Sequence, residues 1–324
     1  MKKVVFSAAA LMTGAFMMAQ ENLSIAEQYG DANDVWVFQD GTWHESYIYQ
    51  DGQTNSVTVD QEGLWNVADV YQAGTDNVSD VDQTVGLNDA FVTQIGEANS
   101  SIVSQSGVAN QALVEQVGNG NLAEAWQGGD VFASDFGLIQ QVQSGDKNEA
   151  YAYMEESDNW AFQTQVGDGN VAVSEQNLFY YGGVNTIEQI QVGAFNDAYA
   201  IQDGSLNYAG QLQEGDYNFA TSDQIGDENY VEQRQYGDNN IAYAEQFGIG
   251  NSAVQYQEGF SNEIESLQDG IDNVSDIAQF GDGNYAIDMQ SGTGNSTYVS
   301  QIGLGHQSGI LQSGVGNSAI VTQQ

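Results

Sequence analysis

The sequence predicts an all-β fold: a β-solenoid of stacked strand–turn–strand coils, about 22 residues per coil with two strands in each. Three observations predict it. A glutamine recurs every eleven residues along nearly the whole chain, residues within each unit alternate in character, and the chain contains 38 Gly but no Pro. Proline removes a ladder donor, so its absence fits a chain that is mostly paired strand.

The repeat is clearest in residues 89–127, where Gln94, Gln105, Gln116 and Gln127 stand eleven apart. Glycine follows two residues on, at Gly96, Gly107 and Gly118, and asparagine five on, at Asn99, Asn110 and Asn121. The unit is Q-x-G-x-x-N-x-[AS]-x-x-x-Q. It returns at Gln224, Asn229, Gln235, Asn240, Gln246 and Asn251, with Gly226, Gly237 and Gly248. It also closes the chain, at Gln301, Gly303, Gln312, Gly314, Asn317 and Gln323. Two joins break the count, between Gln127 and Gln143 and between Gln176 and Gln191. Both are read as turn insertions, near residues 128–136 and 177–184, which stacked repeats tolerate.

Within a unit, strand alternation puts Asn110, Ala112, Val114 and Gln116 on one face and Gln111, Leu113 and Glu115 on the other. The first face reads amide, small, small, amide in unit after unit and is expected to point inward. The glycines supply the positive φ that a tight reversal needs, and Asn tolerates it next best. A strand of about six residues and a turn of about five then alternate. An antiparallel meander also satisfies this pattern. Stacked coils satisfy it better, because Asn and Gln in register can bond to their own copies above and below. Buried amides without such partners cost about 1–3 kcal/mol each. Stacking at the usual strand spacing gives a rod about 60 Å long.

Residues 1–19 read as a secretory signal: Lys2 and Lys3, an apolar run, and a cleavage point after Ala19. Residues 20–324 form a single repeat array. Beyond the signal only Lys147 and Arg234 are cationic against 45 Asp and Glu, so the chain repels nucleic acid and anionic membrane surfaces. There is no Cys and hence no disulfide framework. Asp216, Asp227 and Asp238 share one turn position. In a stack Asp216 lies near Asp238, and two like charges a few Å apart in water cost on the order of 1 kcal/mol. These acids are expected to act as gatekeepers that slow assembly, an effect that acid or calcium should relieve.

Catalysis finds little support. His44 and His306 each take the Asn place of a unit and read as ladder substitutes. Carboxylates are abundant, but abundance is not an acid–base pair. No cofactor is expected. The turns Gly167–Asn170 and Gly281–Asn284 resemble calcium-binding nonapeptide turns superficially, but the period is eleven rather than nine. The outward Tyr151, Tyr153 and Tyr243 read as cross-strand contacts before they read as sugar platforms. An ice-binding solenoid would want one flat face of small polar residues, which the mixed outward face does not provide.

The unit resembles the curlin repeat of curli subunits, the extracellular amyloid fibres of Gram-negative bacteria. Ser100–Gly107 leading to Asn110, Ala112 and Gln116 carries the likeness, as do Gln312, Gly314, Asn317, Ala319 and Gln323. The resemblance implies a secreted subunit that polymerises outside the cell into fibres for adhesion and biofilm matrix. It also implies a nucleating subunit and an outer-membrane secretion channel as partners. The familiar Gly-rich targeting stretch before the repeats is missing, and the array is more than twice the usual length. The first strand is expected near the mature N-terminus and the last at Gln323, with no capping segment. Uncapped coils would template end-to-end addition of further copies. The alternative reading is a monomeric surface β-solenoid that binds a ligand or acts as an adhesin.

Overall fold

The computed structural model describes residues 21–128, 134–155, 158–177 and 183–324. The signal segment and the middle of each turn insertion lie outside the described residues. Among the described residues every regular element is a strand. The chain winds as a β-solenoid of two parallel sheets, successive strands alternating between them. The first sheet has 14 strands, from Leu23–Asp31 to Ser318–Gln323. The second runs from Asp34–Thr42 to Gln307–Val315, with the short Ser134–Asp135 off its path beside Ser100–Val108. Each strand pairs with the one two places on, so like stacks on like: Ala90 on Ala112, Gln94 on Gln116, Gly96 on Gly118.

The inward face is the regular one. Asn88, Ala90, Val92 and Gln94 are buried, while Asp89, Phe91 and Thr93 between them are half-exposed. Buried Val, Ala and Ile from both sheets form a thin core, continuous from Ile48 to Ala161. Small side chains bring the sheets together, so close packing and repeated hydrogen bonds hold the coil where large apolar burial cannot.

The division into a short strand and a longer turn needs correcting. Asp89–Glu97 is a nine-residue strand that keeps its pairing through Gly96. Gly96 bends the chain with φ 128° inside the ladder. The corner itself is the residue before the Asn: Ala98, at φ 56°, still donates its N–H to Thr75 O at 2.9 Å. Positive φ therefore falls on the residue before Asn, not on the repeat Asn. At this corner Trp43, Trp65, Leu87 and Phe136 all hold φ between 57° and 66°. Left-handed φ costs a residue with a Cβ roughly 1–2 kcal/mol, which sheet pairing on both sides offsets. Among the described residues Val85 is the exception at the glycine place, at φ 76°, and its strand's pairing lapses there toward Gly63 while Val85 still pairs Gly107.

Candidate functional site: the stacking surface

The repeating glutamines form a line along each sheet, unbroken in the first and interrupted at Met154 in the second. Gln94 donates to Gln116 Oε1 at 2.8 Å, Gln105 to Gln127 at 2.9 Å and Gln116 to Gln143 at 2.8 Å. The lines continue through Gln224 to Gln246 at 2.9 Å, Gln235 to Gln257 at 3.0 Å and Gln246 to Gln268 at 2.7 Å. At the far end Gln290 donates to Gln312 at 3.1 Å and Gln301 to Gln323 at 2.7 Å. Each Gln also reaches across the coil, as Gln94 does to Val78 O at 2.9 Å. One side chain thus ties coil to coil and sheet to sheet.

Asparagine runs the other way. Asn121 donates its side-chain amide back to Asn99 Oδ1 at 3.0 Å, Asn251 to Asn229 at 3.2 Å and Asn317 to Asn295 at 2.8 Å. The backbone N–H of Asn110 and of Asn240 donates to the side-chain oxygen one coil back, at 3.1 and 3.0 Å. The second amide hydrogen holds a glycine carbonyl of the next coil. Asn77 holds Gly96, Asn88 holds Gly107 and Asn99 holds Gly118, at 2.8–3.1 Å. Gly226, Gly237 and Gly248 are held likewise at 2.7–3.0 Å, and Gly303 and Gly314 at 3.2 Å. His44 takes the Asn place by accepting the Asn66 N–H on Nδ1 at 3.4 Å, with Nε2 at 3.3 Å from Asp40 O. His306 receives no such bond but gives its N–H to Asn284 Oδ1 at 3.0 Å.

The "amide, small, small, amide" face also needs correcting in the middle of the first sheet. Gln141, Gln163, Gln189, Gln211, Gln233 and Gln255 occupy the second small place and are buried. They form a second glutamine line with spacings of 2.8–2.9 Å. Facing Ala and Ser on the other sheet leave them room: Gln189 also donates to Ala198 O at 3.0 Å. The signal was the Q-x-Q doublet ending these strands, as in Gln189–Gln191 and Gln233–Gln235.

Asp216 and Asp238 stack on one edge while Asp227 lies on the other, between Ser205 and Ile249, and each accepts a backbone N–H. Asp238 Oδ1 takes the Asp216 N–H at 2.9 Å, Asp216 takes Ala194 at 2.8 Å, and Asp227 takes Ser205 at 3.1 Å. Asp168 and Asp282, in the two calcium-like turns, are used in the same way, at 2.9 and 3.2 Å. Acids that burial titrates upward lie on strand faces, among them Asp69, Asp80, Asp82, Asp89, Glu175, Asp197, Asp223 and Asp276. The sequence reading missed Asp288, which points inward and is fully buried. Thr297 donates to its Oδ1 at 3.0 Å, and desolvation pushes its carboxyl up to about 6. On the outer face Tyr153 donates to Glu124 at 2.8 Å, Tyr151 to Glu149 at 2.9 Å, and Tyr243 packs 5.5 Å from Phe219.

Two parallel sheets, amide lines at every coil and a thin small-residue core define a repeat β-solenoid whose polar groups are used in stacking. The model of the curlin associated repeat matches residues 30–63, 52–84 and 96–129, which supports a curlin-repeat family for this chain. No curated protein matches the chain.

Proposed function

We propose that this is a secreted structural subunit that self-assembles end to end into extracellular curli-like fibres for adhesion and biofilm matrix. The observation that carries this reading is the opposed polarity of the amide lines. Gln donates toward higher residue numbers and Asn toward lower ones, so the faces at Gln28 and Gln323 have complementary roles. Within the described residues, the end strands Leu23–Asp31 and Ser318–Gln323 each pair on one side only. A second copy placed in register continues both lines and the backbone ladder. The curlin repeat supports the same reading, and with it a nucleating subunit and an outer-membrane channel as partners. The exposed acids serve as a brake on assembly. A catalytic role has no support in these residues.

The test is to dilute the chain, residues 20–324, from denaturant and follow amyloid-dye fluorescence and fibre diffraction. Seeded growth with reflections near 4.7–4.8 Å and about 10 Å is expected. A β-rich monomer that never seeds overturns this reading and supports a monomeric surface adhesin.

A further inference from the structure

The two narrow edges of the solenoid differ in chemistry. One edge, where strands of the first sheet end, carries Asp31, Asp76, Glu97, Asp146, Asp216 and Asp238. The opposite edge carries Trp43, Leu64, Trp65, Val85, Leu87 and Phe136, all 43–63% exposed. Corner backbone bonds run along this second edge, from Trp65 N–H to Thr42 O at 3.1 Å and from Leu87 to Leu64 at 2.9 Å. The Trp43 and Trp65 indoles stack at 5.2 Å and 13°. These side chains therefore form one continuous apolar ridge along the stack. From Thr42 to Ala109 its two corner columns (Thr42, Trp43, Leu64, Trp65, Gly86, Leu87, Val108, Ala109) hold no acid.

The ridge is disfavoured twice. Its large apolar side chains face water, and the corner residues hold left-handed φ that Gly or Asn would adopt more easily. Beyond Leu206 the same corner carries Glu228, Gly250, Asp272 and Gly294 instead. The fold alone does not need bulky apolar residues there.

Resting on the polymerisation reading above, we infer that this ridge is the lateral contact between fibres, ridge against ridge of a second copy. Charge selects the occupant. With a net charge of −41 the chain repels other acidic surfaces, nucleic acid and anionic membranes, and the Thr42–Ala109 stretch of this edge is where two copies meet with least charge. Size sets the condition. A strip about 20 Å long, at the usual strand spacing, is far below the roughly 1,000 Å² that a stable pair of monomers needs. A fibre repeats the strip in every copy, so each further contact is intramolecular. Asp40 and Glu62 border the ridge, so salt should promote the contact.

The experiment uses fibres of the full repeat array carrying Trp43→Asn, Trp65→Asn and Leu87→Asn. Asn suits this corner, as Asn239 stands in the equivalent place at φ 58°. The control is Phe195→Asn with Tyr217→Asn, a stacked pair in the same conformation on the acidic edge. Dye kinetics report growth; electron microscopy and low-speed sedimentation at physiological salt report bundling. The ridge variant should grow at the wild-type rate but give single filaments, with the pelleted fraction falling several-fold. The control should bundle like wild type. Bundling by the ridge variant, or its equal loss in the control, overturns the inference. Failure of the wild-type chain to grow overturns the polymerisation reading, and this inference falls with it.

Discussion

A Cβ built on Gly96 would stand 1.9 Å from the carbonyl oxygen of Gly118 one coil on. The same clash recurs along most of the stack, with φ also outside the range L residues prefer. Gly96→Ala should lower stability by about 1–3 kcal/mol from the backbone conformation alone, with the clash adding to that. Val85→Gly, at a glycine place already substituted, should stabilise the fold. Denaturant midpoints of the two variants, moving in opposite directions, check both.

Gln233 accepts from Gln211 at 2.9 Å and donates to Gln255 at 2.8 Å and Thr221 O at 2.9 Å. Gln233→Leu keeps the volume but strands a donor and an acceptor on its neighbours, at about 1–3 kcal/mol each. The loss should exceed that of an outward replacement such as Leu212→Gln, measured in the same denaturation series. Equal effects would mean the inner line contributes nothing.

Burial raises the carboxyl of Asp288 to about 6 and moves Asp69, Asp80, Asp82 and Asp276 in the same direction. The folded chain then holds these protons more tightly than the unfolded chain. Their stabilising contribution is complete below the unfolded value of 3.8 and is lost as pH rises through the raised values. Stability should therefore climb as pH falls from 7 to 4. Asp288→Asn should flatten part of that slope and stabilise the fold near pH 7 by roughly 2–3 kcal/mol. A pH-independent denaturant midpoint would contradict the burial argument.

Asp216→Asn with Asp238→Asn keeps the Oδ1 that accepts each corner N–H while removing two stacked charges. The lag before assembly should shorten, and calcium should speed the variant less than the parent. Asp216→Ala should lose the bond as well and destabilise the coil by about 1 kcal/mol. An unchanged lag in the double Asn variant would end the gatekeeper reading.

The Gln and Asn lines were legible because their function is their period. An amide every eleven residues can meet its own copy only if coils stack in register. The Q-x-Q doublets of the second line were equally present in the sequence. They went unread because a Gln at a "small" place makes sense only beside the Ala and Ser that face it. Asp288 was hidden for the same reason: one acid among 45 looks like all the others until its side of the strand is known.

By itself the sequence determined the coil length, the parallel register, the inward face and the acidic character of the chain. Each follows from a local period, and stacking copies a period without altering it. Tertiary structure alone decided where positive φ falls, which acids are desolvated, and that the bulky apolar corners of the N-terminal coils gather on one edge. Those properties depend on which units, eleven and twenty-two residues apart, share a side of the coil, and no single unit carries that information.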